Sequence, residues 1–181
     1  MYLMSDQKRS AKIMTPHEIK LVNEVLYTFS SSDNKSHYPK EINLSDVKQP
    51  NSIVGIWVQG KPRSIIGCYH GMSMITDNSY RLVDGDLFLI IGSVLVRYDL
   101  MRDEVVWSAE ADSATCFGLY SISEHKMIIV HGELDITAFT YSGEIRWQRS
   151  GADIFSGTFE LLEDRVRVED FNEDVYVVSL H

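Results

Sequence analysis

Leu87-Phe88-Leu89-Ile90-Ile91-Gly92-Ser93-Val94-Leu95-Val96-Arg97-Tyr98-Asp99-Leu100-Met101-Arg102-Asp103-Glu104-Val105-Val106-Trp107 decides the fold, because the chain writes this pattern twice. The second copy is Met127-Ile128-Ile129-Val130-His131-Gly132-Glu133-Leu134-Asp135-Ile136-Thr137-Ala138-Phe139-Thr140-Tyr141-Ser142-Gly143-Glu144-Ile145-Arg146-Trp147. Gly92 falls over Gly132 and Trp107 over Trp147, each 40 residues apart, and Tyr98 matches Phe139 within one position. Each copy opens on an apolar run, turns at its glycine, alternates, makes a polar turn and ends at the tryptophan. A fourth strand, Ala114–Ser121 or Ile154–Leu162, leads into the next unit, and a truncated third copy runs through Val166-Arg167-Val168 and Val175–Leu180. Four strands on a period near 40 is the spacing of a propeller blade.

These residues resemble the repeats of the quinoprotein-type (pyrroloquinoline-quinone-like) β-propeller. That family's unit is an apolar strand, a small turn, a strand of the form apolar-x-Ala-x-Asp, a glycine turn and a strand ending in Trp. Val94–Trp107 and Asp135–Trp147 fit it, and the resemblance covers roughly residues 87–180. It implies fold rather than activity, because many non-enzymatic scaffolds share the repeat. The family's redox enzymes build their quinone site from a full ring, and a closed ring takes about four blades. Two full copies and a partial one are visible here, and Trp57 stands 50 residues before Trp107, out of phase. The expected fold is all-β and mainly antiparallel, an incomplete propeller-like or sandwich-like stack of β-meanders with one N-terminal helix. The alternative is a small closed propeller.

At 181 residues the chain suits a single domain, with a helix and loop region over 1–50 and a β-rich body over 51–181. Thr15-Pro16-His17-Glu18 has the form of a capping box, and Ile19, Val22, Val25, Leu26 and Phe29 share a helical face. A strand competes with that helix over Val25–Phe29, where Val, Tyr, Thr and Phe are dense. Ser30–Asn51 reads as a loop with a short strand at Glu41–Leu44, followed by strand-like segments at Ser52–Gln59, Ser64–Tyr69 and Tyr80–Val83.

Hydrophobic residues make up 44% and charged residues 24%, enough for a packed core. No apolar run reaches the roughly 20 residues that span a bilayer, and Lys8, Arg9 and Lys12 precede no apolar signal core. A cytoplasmic address is expected, without a membrane partner. The net charge is −9, with +2 over residues 1–62 and −11 over 63–181. Such an acidic body repels phosphates, disfavouring nucleic acid, and attracts basic surfaces.

Catalytic signatures are missing. There is no nucleophile elbow, phosphate loop, dinucleotide fingerprint or zinc spacing, so no metal or cofactor is expected. Cys68 and Cys116 sit in apolar stretches as small buried hydrophobes. Cys68 and His70 would share a face if both lay on one strand, which leaves a small β-fold enzyme as an alternative. Asp170-Phe171-Asn172-Glu173-Asp174 sets oxygens at alternate positions like a calcium loop, but Val175 stands where the loop's glycine belongs, so a solvated hairpin turn is expected.

Residues 151–181 hold eight acids against two arginines. The candidate partner-binding surface is Asp153, Glu163, Asp164, Glu169, Asp170, Phe171, Glu173, Asp174 and Tyr176, with Phe171 and Tyr176 as aromatic anchors. The leading expectation is a non-catalytic protein-binding module, most specifically a bacterial immunity protein that neutralises a basic, nuclease-like toxin through this acidic surface. The alternative is a propeller-like structural or assembly scaffold that pairs its sheet edges with a partner.

Overall fold

A computed structural model describes residues 18–180, about half of them in strands that form four sheets. Sheet 1 holds β1 (Ile19–Asn23), β2 (Lys40–Asn43), β3 (Ser52–Val58) and β4 (Lys61–Cys68) in the order β1-β3-β4-β2. Sheet 2 is the meander β5 (Tyr80–Val83), β6 (Asp86–Ile91), β7 (Val94–Asp99) and β8 (Glu104–Glu110). Sheet 3 repeats it with β9 (Cys116–Ile122), β10 (Met127–Gly132), β11 (Asp135–Thr140) and β12 (Ile145–Ser150). Sheet 4 has three strands, β13 (Phe159–Leu161), β14 (Arg165–Glu169) and β15 (Val175–Ser179).

The repeat extends to the backbone defects. Trp107 pairs with Arg97 and Val105 with Tyr98, so Val106 is bulged out. Trp147 pairs with Ala138 and Ile145 with Phe139, so Arg146 is bulged out in the same way. The sequence unit is shifted by one strand from the sheet: the fourth strand after each Trp, β9 or β13, begins the following sheet.

Alternation along the central strands explains the stacking. Leu87, Leu89 and Ile91 of β6 pack towards sheet 1, while Phe88 and Ile90 pack towards sheet 3. Ile128 and Val130 of β10 meet sheet 2, and Met127 and Ile129 meet sheet 4. Both faces are therefore dry, and each buried side chain of this size contributes about 1.5–3 kcal/mol. Three apolar layers result, one in each gap between consecutive sheets.

Polar ties cross these layers. Tyr98 Oη and Ser64 Oγ lie 2.6 Å apart between sheets 2 and 1. Buried Asp112 accepts from the amides of Ala114, Leu134 and Asp135, at 2.6, 2.8 and 2.8 Å, and so fixes the β8–β9 connector to the β10–β11 turn. His131 Nε2 lies 2.9 Å from the Phe155 carbonyl and its ring stacks on Phe159, joining sheet 3 to sheet 4.

The two ends of the stack are finished differently. Residues 24–39 fold over the outer face of sheet 1, where Tyr27, Tyr38 and Phe29 pack with Ile53, Ile65 and Trp57. Gly55 and Gly67 admit them, since a Cβ at Gly55 would lie 2.0 Å from Tyr38 Oη and one at Gly67 2.8 Å from Phe29 Cζ. Tyr38 Oη donates to Glu24 and accepts from Trp57 Nε1, and Tyr27 Oη donates to Glu41. A ring would have to close on this covered face, so the small closed propeller gives way to an open, incomplete propeller-like stack. On sheet 4, Val166 and Val168 face sheet 3, which turns Arg167, Glu169, Val175 and Val177 outward.

The N-terminal helix is corrected. Thr15, Pro16 and His17 lie outside the described residues, but Ile19–Asn23 is a strand paired rung by rung with β3 and residues 24–29 are turns. A capping residue contributes about 1 kcal/mol to a helix. Burying Ile19 and packing Leu21 on the sheet 1 core outweighs that, and only period-2 alternation puts both on one face. The strands expected at Glu41–Leu44, Ser52–Gln59, Ser64–Tyr69 and Tyr80–Val83 form within a few residues of those limits.

Burial depresses the pKa of His131, while the Phe155 carbonyl and Asp112 oppose the shift. The unfolded chain then binds a proton near pH 6.5 that the folded chain resists, so stability is full above that pH and declines as pH falls through it. His131→Gln should flatten the slope of unfolding free energy between pH 7 and 5, measured by urea titration. An unchanged slope would show that His131 does not carry it.

Candidate functional site

The acidic candidates divide between the two ends of β14. Glu163 and Asp164 sit in the β13–β14 turn, and Glu169–Asp174 at the β14–β15 turn, about 16 Å away along a five-residue strand. Several are already engaged. Asp164 chelates Arg165 at 2.7 and 2.6 Å. The Arg167 guanidinium bonded to Glu169 at 2.7 Å holds that carboxyl below its usual range.

Asp170 is 2% exposed and organises its turn from within. It accepts from the amides of Asn172 and Asp174 at 2.9 and 3.0 Å and from Tyr176 Oη at 3.0 Å. Tyr176 Oη in turn accepts from the Ala152 amide, and its ring packs edge-on against Phe155. The expected hairpin turn is present, with Asp170 and Tyr176 serving it. Phe171, at 68% exposed, stands beside Asp153, Glu173 and Asp174 at that end, where Asn172 Nδ2 donates to Asp153.

Cys68 and His70 do not assemble into a nucleophile pair. The strand ends at Cys68, so the alternation that would align them stops short of His70. The thiol is buried in the layer between sheets 1 and 2, where desolvation raises its pKa, and it donates to the His70 carbonyl at 3.6 Å. A raised thiol pKa is the opposite of nucleophile activation.

The feature that sequence reading missed lies beside β15. Sheets 2 and 3 each end in a Trp-bearing fourth strand, whereas among the described residues β15 has no strand on its outer side. The Leu180 amide donates to the Asp164 carbonyl and the Asp174 carbonyl accepts from the Asp170 amide, so the backbone groups of Leu180 and Asp174 face β14. Alternation therefore aims the N–H and C=O groups of Val175 and Val177 at the open edge. A cavity of about 600 Å³ adjoins it, lined by Arg146, Trp147 and Arg149 of β12 and by Tyr176, Val177 and Val178 of β15. Trp107 Nε1 donates to the Tyr141 carbonyl in the β11–β12 turn, at 3.1 Å, but the buried Trp147 Nε1 has no partner among the described residues. The signal was in the repeat: register sets Arg149 where sheet 2 has Ala109, a residue packed beneath its neighbour.

Asp170→Ala should lower stability by about 2–4 kcal/mol, because it removes a buried carboxylate on which three hydrogen bonds converge. Asp174→Ala should stay within about 0.5 kcal/mol. Urea midpoints check both, and equal losses would overturn the structural role given to Asp170.

No family model matches the chain, and no curated protein matches it. Solved structures do. The computationally designed Ika4 protein aligns with TM-score 0.55 at 10% identity, over 78% of this chain and 90% of its own. The designed Ika8 protein gives 0.55 at 11%, over 71% and 40%. The WD40 β-propeller domain of Doa1 gives 0.51 at 12%, over 71% and 44%. The chain thus spans less than half the length of Ika8 and of the Doa1 domain. At such identities the likeness shows fold alone, and the fold is propeller-like.

Proposed function

We propose that this protein is a non-catalytic, propeller-like scaffold that binds a partner by taking an extended strand along β15. The observation that carries this is the outer edge of β15 at Val175 and Val177, which pairs with no strand among the described residues, in a stack whose neighbouring sheets have a fourth strand there. Open edges recruit strands because their backbone donors and acceptors are already aligned. The quinoprotein type of repeat is kept for the blades, supported by the Val94–Trp107 pattern. Catalysis is not part of the proposal, since the buried, protonated Cys68 offers no nucleophile.

Fluorescein-labelled peptides copying the protein's own fourth strands, residues 104–110 and 145–150, provide the probe. At least one should give saturable anisotropy with the wild type. Val177→Pro should abolish it, because it removes an edge N–H while leaving the β14 ladder intact. Failure of both peptides to bind, or binding unaffected by the proline, would sink the proposal.

Neutralisation of a basic toxin is a second reading, favoured by exposed Phe171 among Asp153, Glu173 and Asp174. An aromatic anchor within a carboxylate rim suits a cationic surface. A basic partner recovered by co-purification should be lost with Phe171→Ala/Asp174→Lys and in about 0.5 M salt. Retention under both conditions would refute this reading.

A further inference from the structure

We infer that the strand accepted by β15 is an acidic one: an extended segment of a partner protein whose carboxylates pair with Arg146 and Arg149. The inference rests on the edge-pairing function proposed above and adds the chemistry of the partner.

Arg146 is the bulged residue of β12, and its guanidinium reaches over the side of sheet 3 that faces sheet 4, to within 3.3 Å of the His125 carbonyl and 4.0 Å of Met127 Sδ. Arg149 takes the Ala109 position of the repeat, on the same side, and among the described residues its guanidinium bonds only the neighbouring Gln148 carbonyl, at 2.8 Å. Neither arginine has a carboxylate partner among the described residues, although Asp86, Asp99, Asp103, Asp164, Glu160 and Glu169 all engage other arginines. Two cations on one wall of a cavity in a protein of net charge −9 mark that wall as selective.

The preceding strand shows the complementary pattern. β8 carries Glu104 and Glu110 and no cation, whereas β12 carries Arg146 and Arg149 and no anion. The outer strands of sheets 2 and 3 are thus opposite in sign, and an acidic strand beside β12 suits its two arginines. Trp147 supplies a second, independent observation. Its counterpart Trp107 donates to the Tyr141 carbonyl in the β11–β12 turn, and among the described residues Trp147 Nε1 is buried without an acceptor. A strand docked on β15 brings backbone carbonyls towards that indole.

The same two peptides discriminate. The acidic 104–110 peptide should bind roughly five- to tenfold more tightly than the basic 145–150 peptide, the scale expected of two partly exposed ion pairs. Arg146→Glu/Arg149→Glu should reverse the order, and Arg149→Lys should preserve it; circular dichroism confirms that each variant folds. In ¹⁵N-labelled protein the Trp147 indole resonance should shift as the acidic peptide is added. Equal affinities would overturn the acidic specificity while leaving edge pairing intact, and absence of binding by either peptide would overturn both. An unmoved Trp147 resonance during binding would place the peptide elsewhere and refute the site. Sedimentation showing that the protein dimerises through β15, abolished by Val177→Pro, would make a second copy the occupant and refute a partner strand.

Discussion

Apolar packing between sheet faces is the constraint on which the rest of this structure depends. A strand such as β6 places leucines and isoleucines on one side and Phe88 and Ile90 on the other, so the sheet containing it needs a neighbour on both faces. β10 imposes the same demand on sheet 3. Stacking is thus compulsory in the middle, and the architecture is decided by how the two outermost faces are treated. Sheet 1 is covered by aromatic rings from its own loop. Sheet 4 replaces the apolar positions Phe88 and Ile129 with Arg167, whose partners Glu160 and Glu169 spread charge across the face. A charged outer surface is what allows this face to meet water.

The middle of the stack was legible because both of its cues are local. A 40-residue period and a two-residue alternation follow directly from blade geometry, and the Trp107 and Trp147 match survived even to the bulge beside each. Sheet 1 was not legible as a blade, because its outer strand β2 comes before β3 in the chain and runs parallel to β4. A search for a Trp-ended meander passes over such an order. The false helix over Ile19–Phe29 came from a capping signal whose energy is small beside that of pairing with β3.

The candidate site was less legible, for a physical reason. Counting acids along residues 151–181 treats carboxylates as equivalent, whereas the fold assigns them different tasks. Asp170 is spent inside a turn, Asp164 and Glu169 are matched with arginines, and Glu163 lies at the far end of β14. The edge itself gave no motif, because open backbone groups at Val175 and Val177 are a matter of pairing and not of residue type. What the sequence did contain was a substitution within the repeat, Arg149 in the place of Ala109, which makes sense once the topology puts no described strand above it.

The glycines of sheet 1 carry a consequence beyond their local packing. By letting Tyr38 and Phe29 settle onto the backbone at Gly55 and Gly67, they close the outer face of sheet 1 with the chain's own rings, whereas the outer face of sheet 4 carries charge. Neither face offers the apolar layer that joins sheets inside the stack, so copies of this body do not extend it face to face.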